Sequence, residues 1–170
     1  MAVSTGMSSR SEPLARVIDQ IEYILCHLLQ KSKATSVLLA DISGQLIGSA
    51  GEISQLDPGA VSALSASDIS ATAELARQLG ESKPFHILFH EGERHHLYLS
   101  VVGSSLILIV VFAVTVPIGL VRLFTERAVK ELLQLTSEFE AALEQAGGAF
   151  SESFEESLAD ELEDAFGQLR

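Results

Sequence analysis

Cysteine and basic residues are scarce in this sequence, and each shortage excludes a class of protein. Cys26 is the single cysteine, so no internal disulfide can form, which suits a reducing cytoplasm. Eleven Lys and Arg residues stand against 23 Asp and Glu residues, and the net charge is −12. Because phosphate binding needs clustered basic side chains, we expect a cytoplasmic protein that does not bind nucleic acid.

Familiar catalytic and cofactor motifs are also missing. The sequence has no Gly-rich phosphate loop and no Ser, His and Asp arrangement that spacing alone would single out. His86, His90 and His95 share one face of a predicted hairpin, which makes a metal clip conceivable. However, no carboxylate or thiolate is fixed beside them, and solvated histidines are the simpler interpretation. We therefore predict a protein with no catalytic centre of its own, no metal and no cofactor.

A long uncharged stretch, Val101–Val121, has the length of a transmembrane helix. Three features favour another interpretation. Gly103-Ser104-Ser105 separates two aliphatic runs, as a tight turn does. Leu106–Phe112 has the Ile- and Val-rich composition of a strand buried on both faces, and Pro117 stands where a new helix can begin. The stretch therefore predicts a hairpin, a central strand and a helix without membrane insertion, and a membrane-anchored protein is the alternative.

The remaining elements follow from the spacing of apolar and turn residues. Apolar residues at three- and four-residue steps predict a first helix from Ser11 to about Lys31, followed by two strands around Gly44. A second helix is predicted over Pro58–Leu79, and Gly80 ends it. Phe85–Glu91 and Arg94–Val102 form the next hairpin, and the last long helix runs from Pro117 to about Gln145. A central strand buried on both faces needs helices on both sides of the sheet.

Composition divides the chain into three parts. Residues 1–12 are predicted to be a flexible leader without the apolar core of a secretory signal, and residues 13–146 form the domain. Residues 147–170 comprise a Gly-Gly linker and an acidic amphipathic helix that Ser153 and Glu156 cap. An isolated helix this short is only marginally stable in water. Its apolar stripe therefore needs a groove on its own domain or on a partner. The predicted contact residues are Phe150, Phe154, Leu158, Leu162 and Phe166.

The second predicted helix carries the main candidate contact surface. At about 100° per residue, Val61, Leu64, Thr72, Leu75 and Leu79 fall on one face. The opposite face collects small residues, which would let a second protein surface approach closely. The alternative is a solvated face made of good helix formers. The residues predicted to contact a second protein surface are Ala63, Ala66, Ser70, Ala73, Glu74 and Arg77.

Three segments of the sequence resemble the roadblock (dynein light chain) family. They are ATAELARQLGE (Ala71–Glu81), FHILFHEGERHHLYLSVVG (Phe85–Gly103) and LILIVVF…PIGLVRLFTERAVKEL (Leu106–Leu132), and the resemblance covers about residues 14–145. It implies an α+β fold with a five-stranded antiparallel sheet, the first and last helices on one face and the second helix on the other. It also implies a homodimer joined through Pro58–Leu79 and Phe85–Glu91.

The acidic helix after the core is similar to that of bacterial polarity proteins of this family. The resemblance therefore implies a homodimeric regulator of a small Ras-like GTPase, namely a GTPase-activating protein without an arginine finger. The C-terminal helix would supply a second GTPase contact. A roadblock scaffold that binds a GTPase or assembles a complex without changing hydrolysis is the alternative. Arg77 and Arg94 are the arginines best placed to be tested as fingers, although solvated arginines are the favoured interpretation. Phe112-Ala113-Val114-Thr115 departs from the expected pattern because it is more apolar.

Overall fold

The computed structural model describes residues 11–52 and 56–137, with side chains from residue 16 onward. The predicted order of elements is confirmed within these ranges. The leader, the end of the last helix and the acidic tail lie outside them. The elements are α1 (Ser11–Ser32), β1 (Ser36–Asp41), β2 (Leu46–Gly51), α2 (Pro58–Gln78), β3 (Ile87–His90), β4 (His95–Val102), β5 (Leu106–Ala113) and a third helix, α3, over residues 118–137.

The chain forms two compact units, Met1–Gln134 and Leu135–Arg170. The first contains the whole sheet together with α1, α2 and most of α3. In the second, the described residues 135–137 are helical. The boundary predicted after residue 146 lies outside the described residues and stays a prediction.

The five strands form one antiparallel sheet in the order β2-β1-β5-β4-β3. The central strand is β5, and its residues Ile107, Leu108, Ile109 and Val110 are fully buried. The prediction of a central strand buried on both faces is therefore confirmed. The uncharged stretch consists of the end of β4, the turn at Gly103, β5 and the start of α3. Within the described residues, no helix has both the length and the apolarity needed to cross a membrane.

Helices α1 and α2 lie on opposite faces of the sheet. Gly48 of β2 pairs with Leu39 of β1, and a methyl group on Gly48 would lie 3.3 Å from Leu25 of α1. Helix α1 therefore covers the face to which Leu39 belongs. The neighbouring residue Leu38 points to the other face, because side chains alternate along a strand, and it packs in one cluster with Ala66 of α2.

Helix α3 shares the face of α1. Tyr98 of β4 pairs with Val110 of β5, and Val110 pairs with Val37 of β1, which is on the same face as Leu39. Tyr98 interacts electrostatically with Arg122 and Glu126 of α3. The predicted arrangement, with the first and last helices on one face and α2 alone on the other, is confirmed.

The β1–β2 turn is held together by the carboxylate of Asp41. Its Oδ1 accepts hydrogen bonds from the backbone amide of Ser43 at 2.8 Å, from the Ser43 hydroxyl at 2.5 Å and from the backbone amide of Gln45 at 3.0 Å. These hydrogen bonds, led by that from the Ser43 side chain, lower the pKa of Asp41 below its ordinary value of 3.8. The turn also places Gly44, whose φ is 91°, next to Ala63 of α2.

This turn predicts an acid-sensitive contribution to stability. A carboxyl group whose pKa is lower in the folded state stabilises the fold above its unfolded pKa, and that stabilisation is lost as pH falls through the folded pKa. Asp41→Asn should therefore lower the melting temperature at pH 7, and the difference from the wild type should shrink below about pH 4. Thermal unfolding between pH 7 and pH 3 measures this difference. Asp19→Asn, which alters an exposed carboxylate on α1, is the matched control; a difference that does not change with pH would contradict the assignment.

Candidate functional site

Helix α2 packs on the sheet with small residues as its most buried side chains, and it turns three leucines outward. Ser62, Ser65, Ala66 and Ala76 are its buried residues. By contrast, three leucines are largely exposed: Leu64 by 70%, Leu75 by 51% and Leu79, which follows the last residue of the helix, by 66%. The sheet supplies the bulk of this core cluster, because its strands contribute Leu38, Leu88, Leu99, Ile107 and Ile109. Large strand side chains under the helix favour small helix side chains at the centre of the contact, and Val61 and Ile69 of α2 pack partly buried against the same cluster. We call Leu64, Leu75 and Leu79 the leucine face of α2.

The predicted small-residue contact surface is partly wrong. Ala66 is 4% exposed and belongs to the core cluster, so it cannot form a docking surface. Ala73 is half-buried, whereas Ala63, Ser70, Glu74 and Arg77 are exposed. These exposed residues stay predictions for a contact surface. Sequence periodicity placed the leucine face correctly on one side of the helix, but it did not show that this side faces outward.

Arg77 is held by an acid on its own helix. Its Nε donates to Glu74 Oε2 at 2.8 Å and its Nη2 donates to Glu74 Oε1 at 2.6 Å. This hydrogen-bonded pair lowers the pKa of Glu74 and raises that of Arg77. Both side chains are well exposed, so the pair contributes little to stability. Arg94 is exposed in the β3–β4 turn, and its carbonyl oxygen accepts from the Val114 amide at 3.2 Å.

Strand β3 is a short edge strand with unpaired backbone groups on its outer side. The amide of Val101 donates to the carbonyl of His86 at 2.9 Å, so these two residues form a hydrogen-bonded pair of the antiparallel ladder. Such pairs alternate along the ladder. The amides and carbonyls of Ile87 and Phe89 therefore point away from β4. Within the described residues β3 pairs only with β4, so this edge can accept another strand.

Phe89 brings an exposed aromatic side chain to the same edge. It is 39% exposed, and its ring centroid lies 5.3 Å from that of His96 and 6.3 Å from that of the buried Phe112. Phe89 pairs with Tyr98 and therefore lies on the face of α1 and α3. The edge of β3 is thus flanked by the aromatic ring of Phe89 on one face of the sheet, with α2 on the other.

The histidines of the hairpin are arranged differently from a metal clip. Even-numbered residues of β3 share a face with odd-numbered residues of β4, as predicted, since His90 pairs with Leu97. However, His95 does not pair with His90, and its partner is Ala113 of β5. The Nε2 atom of His90 lies 2.5 Å from Oδ2 of Asp68 on α2. This contact explains why an acid stands beside the apolar side of that helix. In the part of the chain that the structure describes, no group of three His, Cys, Asp or Glu residues is placed to hold a metal ion.

Comparison with known proteins agrees with this architecture. The family model described as Roadblock/LC7 domain matches residues 21–112, which is more than half of the chain. The chain belongs to the Roadblock/LC7 domain family. The resemblance inferred from the sequence is confirmed, and so is the fold class. No curated protein sequence matches the chain.

Solved structures place this Roadblock/LC7 chain near MglB. Myxococcus xanthus MglB is 35% identical, with a TM-score of 0.68, and the match covers 70% of this chain and 96% of that protein. The gliding protein MglB from Thermus thermophilus is 29% identical, with a TM-score of 0.65 and coverage of 80% and 96%. A structure described as MglB with a tetrameric arrangement is also 29% identical, with a TM-score of 0.65 and coverage of 80% and 95%. The similarity therefore spans nearly the whole length of each relative.

Proposed function

We propose that this Roadblock/LC7 protein is a cytoplasmic homodimer that binds a small Ras-like GTPase and accelerates its hydrolysis of GTP. The observation that carries the proposal is the combination of the outward leucine face of α2 with the unpaired edge of β3. The similarity to MglB supports it, because the family resemblance implies a regulator of a small Ras-like GTPase. Self-association is also supported by the related MglB structure with a tetrameric arrangement.

Two-fold pairing through β3 would satisfy the open edge. The outward amides and carbonyls of Ile87 and Phe89 would bond to the same strand of a second copy, and the two five-stranded sheets would become one. Leu64, Leu75 and Leu79 would then lose their contact with water, which favours association at roughly 25 cal/mol per Å² of apolar surface. The dimer proposal therefore relies on the leucine face and the edge of β3, and no longer on the small-residue stripe that includes Ala66.

Activation would operate by positioning. A rigid dimer surface lowers the barrier when it binds the transition-state arrangement of the GTPase more tightly than the ground state. No arginine from this chain is assigned to the reaction. The guanidinium of Arg77 already bonds to Glu74, so its use as a finger would require breaking that pair. The C-terminal helix, which lies outside the described residues, is proposed as a second contact with the GTPase.

Single-turnover GTP hydrolysis tests the proposal. A purified small Ras-like GTPase from the same organism is loaded with GTP, and its hydrolysis is followed with and without the full chain. We expect an acceleration of about tenfold or more, which corresponds to about 1.4 kcal/mol at the barrier. Binding without acceleration would contradict activation and would support a non-catalytic roadblock scaffold. Absence of both binding and acceleration would overturn the GTPase assignment.

The same assay tests the absence of an arginine finger. An arginine finger contributes about 10³-fold or more to hydrolysis, whereas a solvated arginine contributes nothing to the chemical step. Arg77→Ala and Arg94→Ala should therefore each keep the acceleration within about threefold of the wild type at saturating concentration. Loss of the whole acceleration in either variant, with binding retained, would identify a finger and contradict the proposed mechanism.

A further inference from the structure

We infer that Asp68 and His90 are positioning residues whose contact fixes the edge strand β3 against α2 in the arrangement that a second copy of the chain recognises. The inference rests on the self-association proposed above and assigns a task to a contact outside the leucine face. We call this pair the clasp.

The clasp joins two elements that otherwise have few connections. Helix α2 lies mainly over β1, β2 and β5. Strand β3 has only four residues and one neighbouring strand, and short edge strands fray readily. Leu88 anchors the middle of β3 in the core cluster. At the far end of the strand, the bond from His90 to Asp68 is the only side-chain hydrogen bond between α2 and a strand within the described residues.

Because the clasp is partly exposed, we assign it to the placement of β3 relative to α2 and not to the stability of the fold. The side chains of His90 and Asp68 are 50% and 32% exposed, and partly solvated pairs contribute little to the free energy of unfolding. The proposed dimer surface, however, is built from both α2 and β3, so its shape depends on how these two elements are placed. A two-fold dimer contains the clasp twice, so any loss of preorganisation counts twice in the association.

A double-mutant cycle on the full chain tests this inference. The dimer dissociation constant is measured by sedimentation equilibrium for the wild type, Asp68→Ala, His90→Ala and the double variant. We expect each single variant to raise the dissociation constant about tenfold, and the double variant to raise it no further, because both remove the same contact. His90→Gln keeps a nitrogen donor and should stay close to the wild type.

His95→Ala is the matched control. His95 is exposed at the start of β4, on the same face as His90, and it lies outside both α2 and the segment Phe85–Glu91. The control should leave the dissociation constant unchanged. The melting temperature of the dilute monomer should fall by less than about 4 °C in all variants, which separates positioning from a general loss of stability. If Asp68→Ala does not fold, the comparison of His90→Ala, His90→Gln and His95→Ala carries the test.

The outcomes separate this inference from the proposal on which it rests. A dimeric wild type whose dissociation constant is no more sensitive to His90→Ala than to His95→Ala would overturn the clasp alone. Independent, additive effects of Asp68→Ala and His90→Ala would also overturn it. A wild type that remains monomeric at every concentration would overturn the self-association itself, and this result is visible before any variant is made.

Discussion

Gly44→Ala should lower the free energy of unfolding by about 2–4 kcal/mol. Gly44 has φ of 91°, a backbone conformation that L side chains rarely adopt. An added Cβ would also lie 2.7 Å from the Cα atom of Ala63. Because the clash is with the backbone of α2, no side-chain rotation can relieve it, and the turn and the helix must separate. Urea unfolding measures the change.

Gly80→Ala is the control for this prediction. Gly80 has φ of 77°, but an added Cβ would meet nothing within 4 Å. Its substitution should therefore cost only the conformational part, about 1–2 kcal/mol. The difference between the two variants isolates the contact between the β1–β2 turn and α2. Equal losses would show that this contact does not hold the turn against the helix.

The double substitution Leu64→Glu/Leu75→Glu should weaken self-association by about 100-fold or more, or about 2.7 kcal/mol. In the single chain these leucines are 70% and 51% exposed, so glutamates at both positions should cost little folding stability. In the proposed dimer they become buried, and a buried unpaired charge is strongly unfavourable. Sedimentation equilibrium measures the dissociation constant, and circular dichroism verifies that the variant is folded.

Leu123→Glu is the matched control for the leucine face. Leu123 is 45% exposed on α3, on the opposite face of the sheet from α2. Leu123→Glu makes the same exchange once, removing one leucine and adding one negative charge, and it should leave the dissociation constant unchanged. At concentrations where the wild type is dimeric, the Leu64→Glu/Leu75→Glu variant should also lose acceleration of GTP hydrolysis. An unchanged dissociation constant would exclude the leucine face and return attention to Ala63 and Ser70.

The elements of this fold could be predicted from local patterns. The Ile- and Val-rich block Leu106–Phe112 defined the central strand to within one residue, because burial on both faces leaves no alternation. Asp57 and Pro58 mark the start of α2, where the Asp57 side chain accepts from the Ala60 amide at 3.0 Å. Such signals lie within a few residues of the element they define.

The candidate site could not be predicted in the same way, because it depends on tertiary contacts that local sequence patterns do not contain. The leucines of α2 have the spacing of a core stripe, but the strands below already fill that space, so smaller residues such as Ala66 face the sheet. Asp68 and His90 are 22 residues apart, and only the fold brings them together. The apolar departure from the family pattern at Phe112 likewise has a tertiary reason. Its ring is fully buried beside Phe89 and His96.

Two backbone amides at the edge of β3 report directly on the proposed dimer. The amides of Ile87 and Phe89 point away from β4, so they are open in one chain and would be bonded in the dimer. The amide of Ser49 is the internal reference. It points to the outer edge of β2, because Glu52 donates to Thr35 and hydrogen-bonded pairs alternate along that ladder.

Residue-resolved hydrogen exchange as a function of protein concentration tests the central claim, which is that the edge of β3 and the leucine face of α2 form the surface for self-association. On raising the concentration from well below to well above the dissociation constant, exchange at Ile87 and Phe89 should slow about tenfold or more. Exchange at Ser49 should stay the same. If Ile87 and Phe89 exchange as fast as Ser49 under conditions where sedimentation shows a dimer, the chain associates through another surface and the account is contradicted.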